Sequence, residues 1–295
     1  MARDVPAVRD HSRLWRDNRY VYPVLSRRAK GVSIGINLSP SKECNFHCVY
    51  CQVNRRIPGP VDPVDLGALI RELNAMLAWA VGGEIWADPH FAHVPEELRR
   101  IQDIAFSGDG EPTVHRGFAD MVQLAADAKV RYRLREARLV VISNASRFHT
   151  QAFRRAVPIL QAHEGQVWAK LDAGSARRFS RINRTAVPFK RVLDNIEWLA
   201  RQMPIIIQSC LFRLGGEALD ETEIELYIAR LQRVLERGGR IAGVQLYTIA
   251  RPPTEQAVTR LSDAELADIA ASVRDALPEV NVEVFGGADV QPQER

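Results

Sequence analysis

Lysine is scarce in this chain: Lys30, Lys42, Lys129, Lys170 and Lys190 are the only five among 40 basic residues. Chemistry that needs a lysine amine, such as Schiff-base formation, therefore has few candidate residues. The other basic residues are arginine, a surplus that genome composition accounts for as well as phosphate or carboxylate recognition does. Cysteine is also sparse, at four residues, and three of these crowd together, which is not the pattern of a secreted disulfide framework. No run approaches the roughly 18 apolar residues of a membrane helix, and the opening MARDVPAVRD lacks the apolar core of a secretory signal. Cytoplasmic location is the resulting expectation. A formal charge of +4 is too mild to indicate nucleic acid by itself. There is no low-complexity segment.

What is present is a succession of strand and helix signals. Residues 1–31, with Trp15, Tyr20 and Tyr22, read as an irregular arm or short helices packed on a core formed by residues 32–295. The core opens with the alternating V-S-I-G-I-N-L from Val32. Asp62-Pro63 predicts a helix start, with Leu66, Leu69, Ile70, Leu73 and Leu77 on one face. Further strands are expected at 101–106, 137–142, 166–171, 204–212 and 241–247. Helices are expected near 115–129 and 150–161, on Phe189–Leu199, from Asp220, and from the capping box Ser262-x-x-Glu265. Residues 82–95 read as an irregular insertion, 175–188 as a basic loop, and 280–285 as a short final strand within a C-terminal extension. Repeated β-then-α units imply a parallel sheet with right-handed crossovers. The repeat falls short of the eight units of a closed barrel, so the predicted fold class is α/β, a partial (open) (β/α)6 TIM-like barrel.

The stretch that concentrates chemistry is Cys44-Asn45-Phe46-His47-Cys48-Val49-Tyr50-Cys51, a C-x3-C-x2-C spacing. A structural zinc site needs four N/S ligands, so zinc here requires His47 or the distant Cys210. A [4Fe–4S] cluster on three cysteines leaves one iron open for another ligand. Spacing by itself favours the cluster over zinc and leaves zinc as the alternative.

The loop resembles the signature of the radical S-adenosylmethionine (SAM) superfamily, C-x3-C-x-Φ-C with an aromatic Φ, on Cys44, Cys48, Tyr50 and Cys51. Gly108-Asp109-Gly110-Glu111-Pro112 resembles the glycine-rich stretch that ends the second strand in that family. The likeness covers roughly residues 32–250. It is nearest to the branch of wyosine-type tRNA-modifying enzymes, through GINLSPSKECNFHCVYCQV, FSGDGEPT, VISNAS, VWAKLDAGS, RINRT and VQLYTIARPP.

The resemblance implies the open barrel, one [4Fe–4S] cluster, SAM, and an oxidoreductase-like reductive cleavage that starts hydrogen abstraction. It assigns the cluster to Cys44, Cys48 and Cys51, and the adenine to Tyr50 or its backbone. The methionine amino end goes to Gly108, Asp109, Gly110 and Glu111, where glycine permits close backbone approach. Ser143 and Asn144 are placed to bond the ribose. Lys170 and Asp172, two apart on one strand face, are placed for the SAM carboxylate and for ribose or substrate. Cys210, read either as a buried hydrophobe or as a thiol donating hydrogen to a substrate radical, shares a face with Gln208. Arg181 and Asn183 in the basic loop, with Tyr247 and Arg251 after the sixth strand, are candidate substrate contacts. An external electron donor of flavodoxin or ferredoxin type is implied.

This chain departs from the wyosine-type branch in having no extra cysteines, and no cobalamin-binding segment is visible. Its expected reaction is hydrogen abstraction from a small molecule or nucleotide. The alternatives are a tRNA-modifying enzyme and, in a different class, a non-enzymatic zinc- or RNA-binding protein.

Overall fold

A computed structural model describes residues 13, 15–26, 28–251 and 253–287. Residues 1–12, 14 and 27 of the expected arm thus lie outside the described residues. The chain divides into two compact units. One comprises Met1–Cys44, Pro58–Ser143 and His149–Val167, and the other Asn45–Ile57, Asn144–Phe148 and Trp168–Arg295.

The first unit contains β1 (Val21–Ser26), β2 (Gly31–Ile36), α1 (Leu66–Val81), β3 (Ile101–Phe106), α2 (Phe118–Arg131), β4 (Arg138–Ser143) and α3 (Gln151–Ala162). The arm reading is corrected here. Val21–Ser26 is not irregular or helical but an edge strand, antiparallel to β2, with Tyr22 opposite Gly35. Pro23 is tolerated because an edge strand has one side without a ladder. A Cβ on Gly35 would come within 2.3 Å of the Tyr22 ring, so that glycine lets the ring lie flat on β2.

Strands β2, β3 and β4 run parallel. Helix α1 begins three residues later than Asp62-Pro63 suggests, because Asp65 caps it by accepting from the Ala68 N–H at 3.0 Å. The insertion at 82–95 is ordered by a short 3-10 turn at Glu84–Ala87, with another at Glu96–Leu98.

The strand β5 (Gln166–Lys170) starts at the division, with Trp168 onward in the second unit. That unit continues with α4 (Ala176–Asn183), α5 (Phe189–Gln202), β6 (Ile205–Cys210), β7 (Phe212–Leu214), α6 (Glu221–Glu236), β8 (Ile241–Tyr247), β9 (Val258–Arg260), α7 (Asp263–Ala276) and β10 (Val282–Phe285). Strands β5, β6, β8 and β10 pair in parallel, with Lys170 opposite Gln208 and Cys210 opposite Tyr247. The capping box of α7 forms as the spacing predicts.

The expected basic loop is instead the helix α4. Ser175 accepts from the Arg178 N–H at its start, while Phe179, Ile182 and Asn183 are buried on one side. Arginine is a good helix former, and the buried Glu223 carboxylate takes the orphan N–H groups of Gly174 and Ser175 just ahead.

Candidate functional site

In the first unit, the exits of β2, β3 and β4 carry the polar groups. Asn37, the residue after β2, is buried, and its Oδ1 accepts from the N–H groups of Ser39 (3.0 Å) and Asp109 (3.1 Å). Its Nδ2 donates to Asp109 Oδ2 at 2.8 Å, and Arg13 Nη1 donates to Asp109 Oδ1 at 2.5 Å. Burial works against the Arg13 charge, yet Tyr22 and Asp109 outweigh it and hold its pKa above the ordinary value. Both motif glycines sit where a side chain would collide with backbone or its neighbours. A Cβ at Gly108 would lie 2.3 Å from Asn37 Oδ1, and one at Gly110 would lie 2.1 Å from the Glu43 carbonyl oxygen. Glu111 is buried, and its Oε1 accepts from the Thr113 N–H (3.1 Å), Thr113 Oγ1 (2.6 Å) and Ser143 Oγ (2.7 Å). Ser143 and Glu111 are thereby brought together, as their strand-end positions suggest.

In the second unit, the loop from Asn45 is pinned to the end of α4 by two backbone bonds, His47 N–H to Asn183 O (3.0 Å) and Val49 N–H to Ile182 O (2.9 Å). Asn45 Oδ1 accepts from Asn144 Nδ2 at 2.9 Å, and its Nδ2 donates to Ser146 Oγ at 2.8 Å. Asn183 is placed beside a cysteine: its Nδ2 donates to Cys48 Sγ at 3.4 Å, while its buried Oδ1 has no partner among the described residues. Burial first, and the Asp172 carboxylate second, push the Cys48 thiol up to about 12, against the pull of Asn183, Tyr50 and Lys170. Cys44, Cys48 and Cys51 are all free thiols and only partly buried.

Asp172 is the hub of this unit's polar cluster. It accepts from the Tyr50 hydroxyl at 2.5 Å and from the Cys210 N–H at 2.8 Å, and it pairs with Lys170 Nζ at 3.1 Å. Lys170 also donates to the Tyr247 hydroxyl at 2.6 Å and lies 5.2 Å from the centre of the Tyr50 ring. Burial lowers the Lys170 pKa, but Asp172 above all, then Tyr247 and Cys210, more than reverse this and hold the amine protonated. Burial, then Asp172, raises the Tyr50 phenol well above its usual value. Cys210 is buried, and Gln208 donates to Gln245 at 3.1 Å within the same strand pair.

The remaining expected contacts are spread out. Arg181 faces solvent with Glu217 at 3.7 Å, and the Arg251 carbonyl accepts from Gln52 at 3.2 Å. Sequence reasoning missed Arg13, Asn37, Asn45 and Arg55. The N-x-S pattern of Asn37-Leu38-Ser39, a local side-chain-to-backbone turn, was the available signal for Asn37. Arg55, shortly after the last loop cysteine, keeps Nε and Nη1 buried without a partner among the described residues. Nothing local marks Arg13 or Arg55. Among the described residues, no three His, Cys, Asp or Glu side chains are grouped as ligands of one metal ion.

The family model of the Radical SAM superfamily matches residues 38–213. A curated relative, "UPF0026 protein" of Helicobacter pylori (strain ATCC 700392 / 26695), is 25% identical over 246 residues, covering 83% of this chain and 70% of its own. Two solved structures share the fold. "Structure of TYW1 with a lysine-pyruvate adduct bound" has a TM-score of 0.55 at 16% identity, covering 84% of this chain and 74% of the other. Streptococcus suis SuiB bound to S-adenosylmethionine has a TM-score of 0.59 at 13% identity, covering 88% and 52%. The fold class is thus the one that the βα succession predicts, α/β of the open-barrel type.

Proposed function

The chain belongs to the radical SAM superfamily, and from that premise we propose that it uses one [4Fe–4S] cluster to cleave SAM reductively and abstract hydrogen from a small-molecule substrate. As a member of that superfamily it is a SAM-dependent enzyme, and the family implies both the cluster and SAM. In this reading Cys44, Cys48 and Cys51 hold the cluster. When bound, the cluster and SAM supply an electron and a 5′-deoxyadenosyl radical, the part of the chemistry that no side chain provides.

The donor set fits that group. All the cysteines of the loop are free thiols, and an N–H from Asn183 already points at Cys48 Sγ, the kind of contact that tunes cluster potentials. The partly buried Cys48 thiol, pushed up to about 12, needs a positive partner to ionise, which iron would provide.

The observation that carries the proposal is the Tyr50–Asp172 bond. It ties the aromatic of the cysteine motif to a carboxylate held by Lys170 and by the backbone of Cys210. One buried carboxylate thus joins the loop to the ends of β5, β6 and, through Lys170 and Tyr247, β8. Within that arrangement Asp172 orients Tyr50, and Lys170 offers its remaining N–H capacity to an anionic group. Ser143 and Asn144 are assigned to ribose, and Gly108 to Glu111 to the methionine amino end. Cys210 is the proposed hydrogen donor to the substrate radical, with Gln208, Tyr247, Arg181, Asn183 and Arg251 kept as substrate contacts.

The related TYW1 structure holds a lysine–pyruvate adduct. Here Lys170 is engaged by Asp172 and Tyr247, an arrangement for a cation rather than for a nucleophilic amine. A small-molecule substrate is also favoured over tRNA by the basic cluster. Arg181, Arg184 and Lys190 pair with Glu217, Glu255 and Asp194, and Arg178 turns toward the Phe212 carbonyl and ring.

The test is anaerobic reconstitution with iron and sulfide, then SAM, dithionite and product analysis. 5′-Deoxyadenosine is expected from the wild type and not from Cys48→Ala. A colourless zinc-containing protein, or a fully reconstituted one that leaves SAM intact, overturns the proposal.

A further inference from the structure

The glycine turn Gly108-Asp109-Gly110 is held from a part of the chain that the catalytic reading leaves unused. Both carboxylate oxygens of Asp109 are already engaged, Oδ1 by Arg13 and Oδ2 by Asn37. Its N–H is also occupied, by Asn37 Oδ1. The same Asn37 oxygen bonds Ser39, and Gly110 packs on Ser39 and on the carbonyl of Glu43, the residue before Cys44. The turn is therefore seated directly on the β2 exit that runs into the cysteine loop.

Two groups from the segment before β2 complete the clamp. Tyr22, laid flat over Gly35, reaches Ser107 Oγ with its hydroxyl at 3.0 Å. Arg13, its side chain 32% exposed, covers Asp109, whose side chain is 16% exposed. A half-buried carboxylate with only a neutral amide partner would seek water or a proton, and the turn would follow it.

We propose that Arg13 is a positioning residue for SAM binding. By neutralising Asp109 it fixes the Gly108–Gly110 backbone against the β2 exit, in the conformation that receives the methionine end of SAM. This rests on the function proposed above for its second half only; the seating of the turn stands on the contacts themselves. Asp109 accordingly serves the methionine end as a strut, through the turn backbone that it holds.

The test joins two readouts on the reconstituted full chain, hydrogen exchange of residues 107–111 and steady-state 5′-deoxyadenosine formation. Arg13→Ala is expected to speed exchange in that segment. It should also raise the KM for SAM about tenfold, the worth of one charge-assisted hydrogen bond, with kcat within twofold and iron content unchanged. Arg13→Lys should recover most of the KM, and adding Arg13→Ala to Asp109→Asn should cost nothing further. Unchanged exchange in a folded Arg13→Ala protein overturns the inference, whatever the wild type does with SAM. So does an unchanged KM, or a loss confined to iron content and thermal stability. If the wild type cleaves no SAM while exchange still quickens, the proposed function and the role in SAM binding fall together, and the clamp on the turn remains. Should Arg13→Ala not fold, Arg13→Gln is read in the same way.

Discussion

Asp172 shows how much one side chain decides at the residue scale. Its two oxygens serve Tyr50, Cys210 and Lys170, all inside the second unit. Removing its charge leaves a buried ammonium uncompensated, a class of change that costs about 3–5 kcal/mol. Asp172→Asn is therefore expected to lower the thermal midpoint clearly, measured on the protein before reconstitution so that the cluster does not mask it. Tyr50→Phe is milder: it removes one hydrogen bond to a carboxylate, about 1.5–3 kcal/mol. It should reduce kcat/KM for SAM cleavage by roughly tenfold to a hundredfold with iron content intact, by assay of 5′-deoxyadenosine against iron per chain. The strand alternation made Lys170 and Asp172 legible as neighbours on one face. It did not show that they would pair with each other, because alternation fixes direction and not partners.

Among elements, the strands β2, β3 and β4 carry a titration that is independent of the cluster. Asp103 in the middle of β3 is buried, hydrogen-bonded by Ser33 of β2, and opposite Arg138 of β4. Burial raises its pKa to about 6, and the Ser33 bond and Arg138 only partly offset this. Its folded-state pKa thus lies above the ordinary carboxylate value. Below pH 4 both folded and unfolded forms hold the proton, and there is no contribution. Between about 4 and 6 the unfolded chain releases its proton first, so stability falls as pH rises. Above 6 the full cost persists, about 3 kcal/mol for a shift of this size. Urea denaturation of Asp103→Asn against wild type should show the variant gaining stability at pH 7.5 but not at pH 4. An identical pH slope in both would contradict this assignment. The helix α4, like the edge strand β1, is an element the sequence read wrongly. Its arginines suggested a solvated loop, whereas Ser175 as a cap and the burial of Phe179 and Ile182 make it a helix whose end holds the cysteine loop.

At the scale of the whole molecule, part of the arginine surplus goes into ion pairs within the chain. Arg16, Arg19, Arg184, Arg213, Arg233 and Arg237 each meet a carboxylate. In the basic cluster around α4, Arg177, Arg178 and Arg191 lack such a contact among the described residues, Arg178 turning to the Phe212 carbonyl instead. Neutralising about three phosphates at this cluster gives a log–log salt slope near −3. Filter binding of tRNA should therefore be weak and shallow in salt, and a slope several units steeper would restore an RNA substrate. Among the described residues no helix is long and apolar enough to cross a membrane.

Spacing and periodicity by themselves determined the order of βα units, the cysteine motif, the glycine turn and the caps at Asp220 and Ser262, because each is encoded within a few consecutive residues. What only the tertiary structure decided is which polar groups meet: Arg13 with Asp109, Tyr50 with Asp172, Asn183 with Cys48. Those pairs are joined by burial, where each charge or donor must find whatever partner the packing brings, and no local pattern records the result.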